Sequence, residues 1–212
     1  MNKNAFTIVE IVIVMFLLIL VASVFIPLNM ANVAQAERVA RWKTTFDEVK
    51  YSFDLLKVQQ PELFASLSNL KKTDSEAAFN IIKPYLDLEE EPNQEISFVN
   101  YKYKFRNNRK VKENSHFYVK DFAVLKTGVI IGFKLNKTRS FSTRSPFAIM
   151  IFDINGFEKP NKLGLDIFGV NVYKDSIKPF GEGRSNSVLK ANCSPMGSGA
   201  MCSKYYLIGG NF

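Results

Sequence analysis

Between Phe6 and Leu28 the chain reads FTIVEIVIVMFLLILVASVFIPL, and after Glu10 no charged side chain occurs until Glu37. At about 1.5 Å per helical residue this apolar stretch is long enough, as a helix, to cross the roughly 30 Å hydrocarbon core of a bilayer. It also exceeds the roughly 7 to 15 apolar residues of a secretory signal, and Glu10 stands where such signals avoid acids. The pattern Ala34-Gln35-Ala36 before Glu37 is the competing exit, since a general signal peptidase accepts A-x-A. A carboxylate at mid-bilayer costs roughly 2.5–3.5 kcal/mol, and less near the interface, so Glu10 calls for a partner inside the membrane. The fitting partner is an amine.

The leader Met1-Asn2-Lys3-Asn4-Ala5, the block Phe6-Thr7-Ile8-Val9-Glu10, and the apolar run with Pro27 near its end together resemble the class III signal peptide of type IV pilins and type II secretion pseudopilins. The departure is Ala5 where the family usually carries Gly. The resemblance implies cleavage after Ala5 by a prepilin peptidase and methylation of the Phe6 amine. It also implies a kink at Pro27 and assembly through the N-terminal helix. Glu10 would then meet the α-amine of a neighbouring subunit, because its own amine lies too close along the same helix. The implied partners are other pilin-like subunits, the peptidase and an inner-membrane assembly platform. The implied location is the bacterial inner membrane, single-pass with an exported C-terminal domain, and then a periplasmic or extracellular fibre.

At 212 residues the chain has room for one domain beyond such an anchor, and nineteen Phe and eight Tyr offer large apolar area for its core. The formal net charge is +8, with basic residues scattered except between Lys102 and Lys112. The two cysteines, Cys193 and Cys202, lie in a tail rich in Gly and Ser. A disulfide between them would close a short loop and fit an oxidising compartment; two buried thiols are the alternative. With His116 the single histidine, no zinc pattern exists.

Past Pro27 the pattern becomes amphipathic. Val39, Trp42, Phe46, Val49, Phe53 and Leu56 recur at steps of three and four with charges between them, which predicts one long helix continuing to Gln59. Shorter helices are predicted over Pro61 to Leu70 and Asp74 to Leu86. From Ile96 the period changes to two. Ile96-Phe98, Tyr101-Tyr103-Phe105, Phe117-Val119, Phe122-Val124, Val129-Ile131-Phe133 and Phe147-Ile149-Ile151 read as strands, with a hairpin turn at Lys126-Thr127-Gly128. The expected fold is α+β: a long N-terminal helix, half membrane-spanning and half amphipathic, packed on an antiparallel sheet of about four strands. The resemblance implies the same pilin-like architecture. The expected divisions are a leader over 1–5, a transmembrane and assembly helix over 6–28, and an exported domain over 29–212. Within that domain we expect an amphipathic helix (29–59), a helical and loop region (61–95), the sheet (96–152) and a loop-rich C-terminal region (153–212).

The block Asp153 to Phe168 resembles a segment found after the central strands of pseudopilin-like proteins. Asp153, Asn155 and Asp166 resemble the calcium loops of some secretion pseudopilins, and calcium is the one cofactor the sequence allows. The EF-hand pattern fails, and an Asn-Gly turn explains the same residues without metal. Lys102, Lys104 and Arg106, interleaved with aromatics, would suit a DNA-uptake or adhesion receptor. Strand alternation alone would place them on a solvated sheet face, so no nucleic-acid partner is expected. No paired nucleophile and base, dinucleotide glycine pattern or phosphate loop is present, so no enzyme is expected; a membrane-anchored periplasmic enzyme is the third alternative.

Overall fold

The computed structural model describes residues 7–67, 70, 74–89, 102–136 and 144–211, without the side chains of 27–29 and 31. Helix α1 (Ile8–Gln59) is one element of 52 residues and continues through Pro27 and through Ala34-Gln35-Ala36. It is followed by α2 (Pro61–Ser66), α3 (Ser75–Ile82) and a short 3-10 turn at Lys83–Tyr85. The strands are β1 (Asp121–Val124), β2 (Ile130–Leu135), β3 (Ala148–Asp153), β4 (Ile167–Val172) and β5 (Ile177–Pro179). Two helices close the chain, α4 (Asn186–Asn192) and α5 (Cys202–Leu207). The chain divides into two compact units, 1–37 and 38–212. The first unit is helical over its described part, and its large apolar side chains from Ile8 to Ile26 are exposed.

The second unit is α+β. Its five strands pair antiparallel in chain order, β1-β2-β3-β4-β5, a meander in which each strand lies beside its sequence neighbour. The Lys126-Thr127-Gly128 turn joins β1 to β2, with Leu125 N–H donating to the Val129 carbonyl at 2.8 Å. Pro179 lies in β5, an edge strand, where a missing N–H is tolerated.

One sheet face carries Ile131, Phe133, Met150, Phe152, Phe168 and Val170, buried in the same core as the α1 stripe of Val39, Trp42, Val49, Phe53 and Leu56. Trp42 is the centre of this layer. Its ring stacks on Phe168 with centroids 5.0 Å apart and tilts against Phe152 at 5.6 Å, and its Nε1–H donates to the Ser203 carbonyl at 2.9 Å. A fully buried indole with its one donor satisfied combines large apolar area with no polar penalty. Phe53 packs edge-on against Phe64 of α2, and Phe79 of α3 stacks on Phe133 of β2, so the short helices extend the same layer.

The opposite face is covered as well, and here the fold departs from the sequence expectation. Ile149, Ile151 and Ile167 form a second core with Tyr103, Val119, Leu163 and Phe180, against which Phe105, Val111, Phe117 and Phe122 pack. The segments around Tyr103-Phe105 and Phe117-Val119, expected as strands, belong to this cover. Alternating aromatic and aliphatic residues read the same whether a chain pairs within a sheet or lies across one. Ile96-Phe98 falls outside the described residues. Among the described residues the sheet runs from Asp121 to Pro179, and the region expected to be loop-rich contains β4, β5, α4 and α5. Glycine in β4 disguised that strand. Across the sheet Phe122, Gly132, Ile151 and Gly169 fall in one register row, and a Cβ at Gly169 would lie 2.2 Å from the Phe180 ring. The glycine is there because an aromatic ring rests on the strand backbone.

Candidate functional site

The first candidate is the head of α1. Thr7 caps the helix: its Oγ1 accepts from the Glu10 N–H at 3.3 Å, while Glu10 Oε2 accepts from both the Thr7 N–H and the Thr7 hydroxyl at 2.8 Å. This is a reciprocal capping box, and its T-x-x-E signature was present in the sequence and missed there. Glu10 thus has a local partner within one chain for Oε2. Charge is another matter, because a neutral hydroxyl and an amide leave the carboxylate ionic. Beyond it, Ile8–Ile26 is a 19-residue stretch of mean hydropathy 3.1 with none of its apolar window buried, long and apolar enough to cross a membrane. An exposed apolar surface of this extent needs lipid or other chains to cover it. Ala5 and Phe6 lie outside the described residues, and at Pro27 the helix simply continues.

The second candidate is the C-terminal end. Cys193, at the close of α4, and Cys202, the first residue of α5, form a disulfide. Ser203 next to it holds the C-terminus to the core, its hydroxyl accepting from the Gly169 N–H at 2.9 Å and donating to the Ala200 carbonyl at 3.1 Å. A pocket of about 320 Å³ beside α4 is lined by Asn186, Lys190, Tyr205 and Ile208 among others.

The calcium candidates divide. Asp166 is fully buried, and its two carboxylate oxygens each accept a backbone N–H at 2.7 Å, from Asn161 and Lys162. Burial pushes its pKa up, while those amides and the nearby Arg38 charge pull it down. Asp166 thus clamps a loop. Asn155 does likewise, its amide Nδ2 donating to the Glu158 and Lys159 carbonyls. Among the described residues the buried amide oxygens of Asn155 and Asn161 have no hydrogen-bond partner, and these two with Asp153 supply fewer side-chain oxygens than the six to eight ligands calcium takes in all. Among the described residues no group of three or more His, Cys, Asp or Glu could hold a metal ion. The Asp166 carboxylate and the Asn155 amide are committed to the loop itself.

The basic candidates divide too. Arg106 is not on a solvated strand face: it is half-buried, and its guanidinium donates to the Gly164 carbonyl at 2.5 Å. Lys102 and Lys104 are exposed. Tyr103 between them is buried, its hydroxyl donating to the Phe117 carbonyl and accepting from the Val119 N–H at 3.2 Å, with burial raising its pKa. The aromatics of this stretch are therefore spent on the second core. His116 packs against the rings of Phe117 and Phe180. No family model, no curated protein and no solved structure matches the chain.

Proposed function

We propose that the protein is a prepilin-like structural subunit of a type II secretion pseudopilus or type IV pilus-like fibre, assembling through its N-terminal helix. The observation that carries this reading is Glu10, an acid at the head of an exposed 19-residue apolar helix that continues unbroken as the helix whose stripe packs on the sheet. In this reading a prepilin peptidase cuts after Ala5, the chain waits in the inner membrane with its C-terminal domain exported, and subunits leave the bilayer as their apolar helices pack into a fibre core. A carboxylate and an amine brought to 4 Å attract by about 4 kcal/mol at an effective dielectric near 20, before desolvation is subtracted. The protein acts mechanically, without catalysis.

Two substitutions separate this role from helix capping. Glu10→Gln retains the cap, because Gln also serves in a capping box. Glu10→Val removes both cap and charge. If the carboxylate pairs with a neighbour's amine, both variants insert and are processed but fail to enter sheared fibres or crosslinked oligomers. A Glu10→Gln chain that assembles as well as the parent reduces Glu10 to a cap and overturns the assembly role.

A further inference from the structure

We propose that the lysine cluster Lys104, Lys110 and Lys162, with Met196 beside it, docks the exported domain on an anionic phospholipid surface. The inference rests on the reading that α1 anchors the chain in a bilayer, which makes lipid headgroups a partner held at high local concentration.

The cluster is an arrangement that folding alone would not select. Lys104 bridges Lys110 on one side and Lys162 on the other, so it stands opposite a second lysine across each of two bridges. Like charges so placed destabilise a sheet pair. The backbone enforces them: Lys104 N–H donates to the Asn161 carbonyl at 3.0 Å, Leu163 N–H to the Lys104 carbonyl at 2.9 Å, and Phe105 N–H to the Arg109 carbonyl at 2.8 Å. Among the described residues none of the three ammonium groups has an ion-pair or hydrogen-bond partner. Lys102, Arg109 and Lys112 are exposed on the same segment.

The neighbouring surface favours lipid over nucleic acid. Base stacking needs exposed aromatics, and Tyr103, Phe105 and Phe117 face the second core. What is exposed instead is apolar. Asn107, in the turn between Lys104 and Lys110, donates its amide to the Met196 carbonyl at 3.2 Å, and the Met196 side chain is 86% exposed. Basic residues around a projecting apolar side chain match a headgroup layer over acyl chains, where the cations meet phosphates and the thioether enters the boundary.

The full chain reconstituted in nanodiscs tests this. Discs of zwitterionic lipid and discs containing an anionic phospholipid are exposed to a water-soluble amine-acylating reagent and, separately, to peroxide, with rates read residue by residue by mass spectrometry. We expect Lys104, Lys110 and Lys162 to react at least about fivefold more slowly in anionic discs, with exposed Lys43 of α1 unchanged and the protection lost at high salt. Met196 oxidation should slow in parallel, and the triple variant Lys104→Gln, Lys110→Gln, Lys162→Gln should restore it while folding as well as the parent. Equal rates in both discs overturn the proposal. So does stronger protection by added duplex DNA over zwitterionic discs, which would assign the cluster to nucleic acid. Failure of the chain to co-elute with either disc refutes anchoring itself, a result separable from the labelling pattern.

Discussion

At Gly164 the backbone is left-handed, with φ at +79°, and a Cβ would fall 2.5 Å from the Cys202 sulfur and 2.6 Å from the Gly199 carbonyl oxygen. Both the torsion and the space demand glycine, and the residue's carbonyl is also the acceptor for Arg106. Gly164→Ala should therefore destabilise by about 1–3 kcal/mol, measured by urea unfolding with the disulfide intact. His116 offers a pH test. His116 remains solvent-exposed, yet partial desolvation beside its aromatic neighbours, and then the Lys134 charge, lower its pKa below 6.5, partly offset by a hydrogen bond with Asn171. The unfolded chain then takes up a proton on this ring at higher pH than the folded one. Stability from this group is full above pH 6.5 and falls as pH drops toward the folded-state value. The thermal midpoint should fall more between pH 7 and pH 5 in the parent than in His116→Gln.

At the scale of elements, the α1 stripe and the sheet define each other. Trp42 touches β3 through Phe152, β4 through Phe168 and α5 through the Ser203 carbonyl, so one side chain joins three elements. Trp42→Ala should cost about 3–5 kcal/mol and loosen α5, read as faster amide exchange in Cys202–Leu207 than a purely local cavity would produce. Polar contacts fasten the same helix beside the sheet, from Arg41 to the Thr127 carbonyl and from Lys57 to the Asp175 carbonyl. The stripe was legible because a 3.6-residue period marks a buried helical face whatever covers it. The cover over the second sheet face was not. Its residues have the period of a strand, and only the apolar outer faces of β3 and β4 explain why they lie across the sheet.

For the whole molecule, two expectations concern the chain as the cell makes it. Non-reduced peptide mapping of protein from the cell envelope should recover Cys193 and Cys202 as one linked peptide. Replacing both by Ser should lower stability by about 2–3 kcal/mol, since the bridge closes a short loop of the unfolded chain. The mature N-terminus should be Phe6, methylated, by intact mass and N-terminal sequencing; a start at Glu37 would instead indicate ordinary secretion and remove the fibre reading.

The sequence by itself determined the apolar helix, its amphipathic continuation, the β1–β2 hairpin and the β3 strand, because each is specified by local period or turn residues. It also held the capping box, Thr7 to Glu10, in plain spacing. Tertiary structure alone decided the rest. Gly169 marks a strand that an aromatic ring covers, Asp166 is a loop clamp because two amides converge on it, and Arg106 turns inward to a carbonyl 58 residues away. Lys104, Lys110 and Lys162 come together only when distant segments bridge. Local pattern records which residues must leave water, whereas the partner that receives them is set by long-range pairing.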